Sequence, residues 1–222
     1  MRRVISHLPG TFFIYIITVI FSVNYLLAQH AVENPELDKK VEAFLKSKKN
    51  QWRDLNVPDT DGKLLYDIII KNGYTKGLEI GTSTGHSTIW IAWAMSKTNG
   101  KLITIEISER RYKEAIANFE EAGLSKYIDA RLANAHDLVK KLQGPFDFVF
   151  SDADKDWYTN YFIDVAPKLE DGGCFAAHNV RPPGSGGMSA TKAYLAYVMD
   201  LENFTTTVNN SGGGLAISVK NN

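Results

Sequence analysis

Leu78-Glu79-Ile80-Gly81-Thr82-Ser83-Thr84-Gly85-His86-Ser87 runs from an apolar strand through a glycine turn into a helix. Gly81 and Gly85 let the backbone approach a ligand closely, and the N-terminus of the following helix favours an anionic group. The glycines do not follow G-x-G-x-x-G, so a dinucleotide pyrophosphate site is not indicated. Downstream the pattern repeats. Lys76–Gly81 reads as a strand, Gly85–Lys97 as a helix, Leu102–Glu106 as a strand and Glu109–Ala122 as a helix. Ile128–Leu132, Phe146–Ser151 and Cys174–His178 read as further strands, interleaved with helices over Ala135–Leu142 and Trp157–Leu169. Such alternation predicts an α/β fold with a doubly wound, mostly parallel sheet.

Upstream, Leu37, Val41, Phe44 and Leu45 recur at helical spacing within Glu33–Lys49, and Pro58 suits the first turn of a helix running to about Lys71. After the loop Arg181–Gly187, Ser189–Leu201 reads as a last helix. Phe204–Val208 and Leu215–Val219 read as two strands joined by the short connection Asn209–Gly214. A connection that short makes them antiparallel neighbours, completing seven strands with an antiparallel final one.

In an open α/β sheet the site lies beyond the carboxyl ends of the strands. Those ends are Gly81, Glu106, Asp152 and His178–Asn179. Glu106 can accept both hydroxyls of a ribose. Asp152 and Asn179 offer oxygen ligands to a hard cation, and His178 offers an imidazole nitrogen or a hydrogen bond. Cys174, the one cysteine, lies in an apolar strand and reads as core, and His86 reads as facing outward from its helix. Trp90 and Trp93 read as packing or partner surface.

From about Asn56 to Val219 the chain resembles a class I S-adenosylmethionine-dependent O-methyltransferase of the cation-dependent branch, similar to catechol and caffeoyl-CoA O-methyltransferases. The matching pieces are Glu79-Ile80-Gly81-Thr82-x-Thr84-Gly85-x-Ser87, Glu106, Phe146-Asp147-x-x-x-x-Asp152-x-Asp154-Lys155 and Asp171-Gly172-Gly173…Asn179. The resemblance implies a Rossmann-like methyltransferase fold. It implies a cofactor site drawn from Val57, Glu79, Gly81, Thr82, Gly85, Ser87, Glu106, Ala135, His136 and Asp152. Glu106 would bind ribose, and Ala135 and His136 would lie beside adenine. It further implies Lys155 as general base with Asp152 beside it, and a divalent cation on Asp152, His178 and Asn179. The acceptor implied is a small hydroxylated, phenolic molecule. A bound dication would orient a phenol and make it a better nucleophile, and a nearby lysine can take the proton. Family relatives often dimerise, so the resemblance admits a homodimer.

Two departures stand out. The family usually places an aspartate where this chain has His178, and one carboxylate, an imidazole and an amide suit Mg²⁺ less well than two carboxylates and an amide. Thr205–Leu215 contains no acidic residue to contact the acceptor, as catechol enzymes have there. Two other readings compete. Gly81-Thr82-Ser83-Thr84-Gly85 has the G-x-S-x-G form of a hydrolase elbow, with Asp152 and His178 following in the order of a catalytic triad. A non-catalytic S-adenosylmethionine-binding module is the other.

Composition bounds the partners. The 222 residues carry 25 basic and 25 acidic side chains, so no net positive field exists to collect nucleic acid. Arg2 and Arg3 are followed by no charged residue until Glu33, and Thr11–Ala28 is an apolar run. Residues 1–28 therefore read as a signal peptide cut near Ala28–Gln29, or as an uncleaved membrane anchor, with the catalytic domain over 29–222. Either way the domain is expected outside the cytoplasm, periplasmic or membrane-anchored. It is cytoplasmic if the leader is not used.

Overall fold

Asn34 starts the first helix: its side chain accepts the Leu37 N–H at 3.1 Å, and Pro35 occupies the first helical turn. This is α1 (Pro35–Ser47), whose apolar stripe buries Leu37, Val41 and Phe44. The computed structural model describes residues 32–52 and 54–222, so the reading of 1–28 as a leader lies outside the described residues. Helix α2 (Asp59–Asn72) follows Pro58 and ends on Gly73, left-handed at φ 69°. Then come β1 (Lys76–Ile80), α3 (His86–Lys97), β2 (Lys101–Glu106), α4 (Glu109–Ala122), β3 (Ile128–Leu132), α5 (Ala135–Lys141) and β4 (Phe146–Ser151). The chain closes with α6 (Tyr158–Val165), β5 (Leu169–His178), α7 (Ser189–Met199), β6 (Phe204–Asn209) and β7 (Leu215–Lys220).

The seven strands form one sheet in the order β3-β2-β1-β4-β5-β7-β6. β1 to β5 run parallel; β7 lies antiparallel between β5 and β6. The doubly wound expectation holds, and the antiparallel last pair holds with it. The strand order reverses between β1 and β4, which opens the crevice where such folds bind ligands. Each face of the sheet carries a helical layer. On one face Phe148, Phe150, Cys174 and Ala176 pack under α1 to α4 through Leu65, Ile69, Ile89 and Phe119. On the other, Leu78, Ile80, Val149 and Phe175 pack under α5 to α7 through Val139, Phe162, Tyr194 and Val198. Successive strand residues thus alternate between two cores.

Two boundaries differ from the sequence reading. The helix expected over Trp157–Leu169 is α6 flanked by single 3-10 turns at Lys155–Trp157 and Ala166–Lys168. Pro167 cannot continue an α-helix, so the chain turns and enters the sheet early. Strand β5 begins at Leu169 rather than Cys174, passing through Gly172 and Gly173 with a register shift against β4 between Phe146 and Phe148. Among the described residues no helix is long and apolar enough to cross a membrane.

Candidate active site

A cleft of about 320 Å³ opens at the carboxyl ends of β1, β2 and β4. Gly81, Glu106, Ala135, His136 and Asp152 line it, so these expected residues share one surface. The turn after β1 makes it. Gly81 (φ 103°) and Thr82 both donate their N–H to the Ile105 carbonyl, each at 3.1 Å. A side chain at Gly81 would press within 2.9 Å of the Asp152 and Ala153 backbone, so this glycine is needed where β1 and β4 exit together. Gly85 (φ 98°) serves packing instead: a Cβ there would meet the Phe119 ring at 2.5 Å.

Glu106 is almost buried at the cleft floor. One of its oxygens accepts the Ser83 N–H and the other the Ser108 N–H, both at 2.8 Å. Each oxygen keeps a second lone pair, so the carboxylate is oriented yet able to accept a pair of hydroxyls. Across the cleft His136 stacks on Trp157, with ring centroids 4.2 Å apart and planes at 16°, beside Tyr161. Asn134 caps α5 through the His136 N–H, which fixes where that ring sits. A carboxylate for a diol and an aromatic wall fit a nucleoside. Arg111 also lines the cleft, held there by the Asp54 carboxylate, which Arg111 and Arg110 together pull down to a pKa of about 2. Trp157, Tyr161 and Arg111 were not expected from the sequence. Their only signal was position, just after β4 and β2, the strands whose ends carry the acids.

Val57, Glu79, Thr82, Gly85 and Ser87 do not line the cleft; they hold the turn. Glu79 is fully buried and accepts from the hydroxyls of Ser87 (2.6 Å), Thr104 (2.6 Å) and Thr88. Burial raises its pKa to about 7, against those three hydrogen bonds. The Val57 carbonyl bonds His86 Nδ1 at 2.8 Å. The outward-facing expectation for His86 is therefore corrected. The ring is buried, stacked on Trp52 at 4.5 Å and approached by the Trp90 indole N–H at 3.2 Å. It joins the loop before α2 to α3, and burial pushes its pKa down.

Beyond Asp152 lies a row of charges. Lys155 bonds one Asp152 oxygen, and His178 Nδ1 approaches the other at 3.1 Å. His178 Nε2 meets Asp61 Oδ2 at 2.9 Å. His178 and Asp61 are both buried, and Asp61 comes from the first turn of α2. Burial works against a charged imidazole here, but hydrogen bonds to the Asp152 and Asp61 carboxylates outweigh it and raise the His178 pKa to about 9. Each ring nitrogen thus has a carboxylate oxygen within hydrogen-bond distance. The Asp152 oxygens and the His178 nitrogens are therefore all engaged with neighbouring groups. The trio Asp152, His178 and Asn179 thus does not fit a divalent cation in this arrangement. Among the described residues no group of three or more His, Cys, Asp or Glu side chains is placed to hold a metal ion.

The hydrolase geometry is not found. The Ser83 hydroxyl donates to the Asp54 carbonyl at 2.6 Å, and both nitrogens of His178 are engaged by carboxylates.

Residues 28–207 match the family described as O-methyltransferase. Among similar proteins, a catechol O-methyltransferase of Niastella koreensis is 41% identical over 107 residues, 46% of this chain and 48% of that protein. The match thus spans about half the length of that relative. Caffeoyl-CoA O-methyltransferase 1 of Eucalyptus globulus is 27% identical over 79% of this chain and 77% of its own. The crystal structure of the O-methyltransferase TomG from Streptomyces achromogenes in complex with SAM superposes with a TM-score of 0.69. It is 25% identical, covering 89% of this chain and 95% of that one.

Proposed function

The chain belongs to the O-methyltransferase family, and from that premise we propose that it methylates a hydroxyl of a small phenolic acceptor with S-adenosylmethionine as donor. The observation that carries the reading is Glu106, a carboxylate oriented by two backbone N–H groups at the end of β2, sharing one cleft with the aromatic rings of His136 and Tyr161.

When bound, S-adenosylmethionine supplies a methyl group already activated on a sulfonium sulfur. The protein's task is alignment and proton removal. Glu106 would hold the ribose diol, and His136 and Tyr161 would lie beside the base. Gly81 keeps the turn close to Asp152 and so sets the floor between donor and acceptor. Lys155 stands at the Asp152 end, on the 3-10 turn that follows β4. On methyl transfer, Lys155 Nζ would take the proton that the acceptor hydroxyl gives up. For that, Lys155 must be in its neutral form at the moment of transfer.

Calorimetric titration of S-adenosylmethionine into the full chain tests the cofactor. We expect micromolar binding, weakened about tenfold or more in Glu106→Ala, which loses hydrogen bonds to a charged group. No binding by folded wild-type protein would overturn the reading, and unchanged binding in the variant would remove Glu106 from the ribose.

A further inference from the structure

The ion row behind Asp152 is more than an obstacle to a metal. Its members alternate in sign: Asp61, His178, Asp152, Lys155. A buried pair of carboxylates normally demands a compensating charge. Here both Asp152 oxygens and both His178 nitrogens are already bonded within the row, so a dication would have to break those contacts to find its ligands. The space beside the imidazole is also closed. Gly213 of the β6–β7 loop donates its N–H to Asp61 Oδ2 at 2.7 Å. A Cβ on Gly213 would lie 2.4 Å from His178 Nε2, and one on Gly212 would lie 2.2 Å from Asp61 Oδ1. The glycine loop is therefore seated on the ion row, in the segment that contains no acidic residue. From below, Tyr158 donates its hydroxyl to the His178 carbonyl at 3.1 Å.

We propose that this chain transfers methyl groups without a divalent cation, the row Asp61–His178–Asp152–Lys155 standing where the cation would, with Asp61 as the positioning residue that keeps His178 bonded on both sides. The proposal rests on the methyltransferase reading. In it, His178, held by Asp61 on one side, orients Asp152 from the other, and Asp152 in turn aims Lys155 at the acceptor hydroxyl. Asp61, one buried oxygen of which has no hydrogen-bond partner, spends its other oxygen on His178 and Gly213.

The first test is a calorimetric titration of MgCl₂ and of MnCl₂ into the full chain saturated with S-adenosylhomocysteine. No saturable binding is expected for wild type. One equivalent bound at micromolar to low-millimolar concentration would overturn the proposal. His178→Asp exchanges the imidazole for a carboxylate beside Asp152 and Asn179 and is expected to gain saturable Mg²⁺ binding. A folded variant that gains none would show that the imidazole is not what bars the cation. In turnover with a catechol and caffeate panel, rates in EDTA should lie within twofold of those in Mg²⁺; a tenfold loss restored by Mg²⁺ would overturn the proposal.

The positioning role has its own signature. In ¹⁵N-histidine spectra of wild type at pH 7.5, both His178 ring nitrogens should carry protons, and Asp61→Asn should lose that doubly protonated signal. A ring nitrogen free of its proton in wild type would overturn the assignment. The ¹⁵N spectra need no cofactor, whereas the Glu106 titration tests the cofactor alone, so failure of the cofactor reading and failure of this one are told apart.

Discussion

Glu79 shows how much of this site is buried support. Its carboxylate lies in the sheet, satisfied by three hydroxyls and out of reach of the cleft. Burial lifts its pKa from 4.5 to about 7, so the folded state holds a proton that the unfolded state has released between those values. Stability then falls as pH rises from about 4.5 to 7, by an amount on the order of 3 kcal/mol at most. Glu79→Gln, which cannot ionise, should flatten that slope: the loss of melting temperature between pH 5 and pH 8 should be smaller than in wild type. Equal slopes in the two proteins would mean that Glu79 stays ionised in the fold. In the sequence Glu79 and Glu106 look alike, each an acid on a strand. Glu106 ends β2 and lines the cleft, whereas Glu79 stops one residue short of its strand end and bonds Ser87 and Thr88 of α3.

The β1 turn and its two flanking helices form the next level. α2 and α3 approach so closely that a methyl at Gly62 would lie 2.2 Å from the Trp90 ring. That contact brings the first turn of α2, and Asp61 with it, against the sheet. Gly62→Ala should cost about 1–3 kcal/mol by forcing the helices apart. Its melting temperature should fall accordingly, and the His178 signal should shift with it because Asp61 is displaced. A variant as stable as wild type would mean that Trp90 finds another rotamer. Helix periods, capping residues and strand ends were legible here because they are local. Asn34 and Ser108 cap helices from their own sequence neighbourhood. The contact of Asp61 with His178 joins residues 117 positions apart and leaves no local trace.

The assembled domain places its cleft at the crevice between β1 and β4, and this predicts how cofactor and stability are linked. A ligand that binds the folded state alone stabilises it by about 2.7 kcal/mol at a hundredfold excess over its Kd. For a domain of this size that corresponds to a rise in melting temperature of roughly 5–10 °C. Thermal melts with and without S-adenosylmethionine should show it, and Glu106→Ala should lose most of the shift at the same concentration. Alternating hydrophobic periods, the glycine turn and the acids at strand ends were enough to derive the α/β sheet, the antiparallel last pair and the edge that carries the chemistry. Those features follow from short-range backbone preferences and from topology rules, which act on the chain as written. The sequence could also show a histidine at the end of the fifth strand. It could not show what faces that histidine. Whether an imidazole is a metal ligand or an imidazolium depends on which groups the fold brings to each nitrogen. Here packing of α2 and of the β6–β7 loop brings Asp61 to one side, and the end of β4 brings Asp152 to the other.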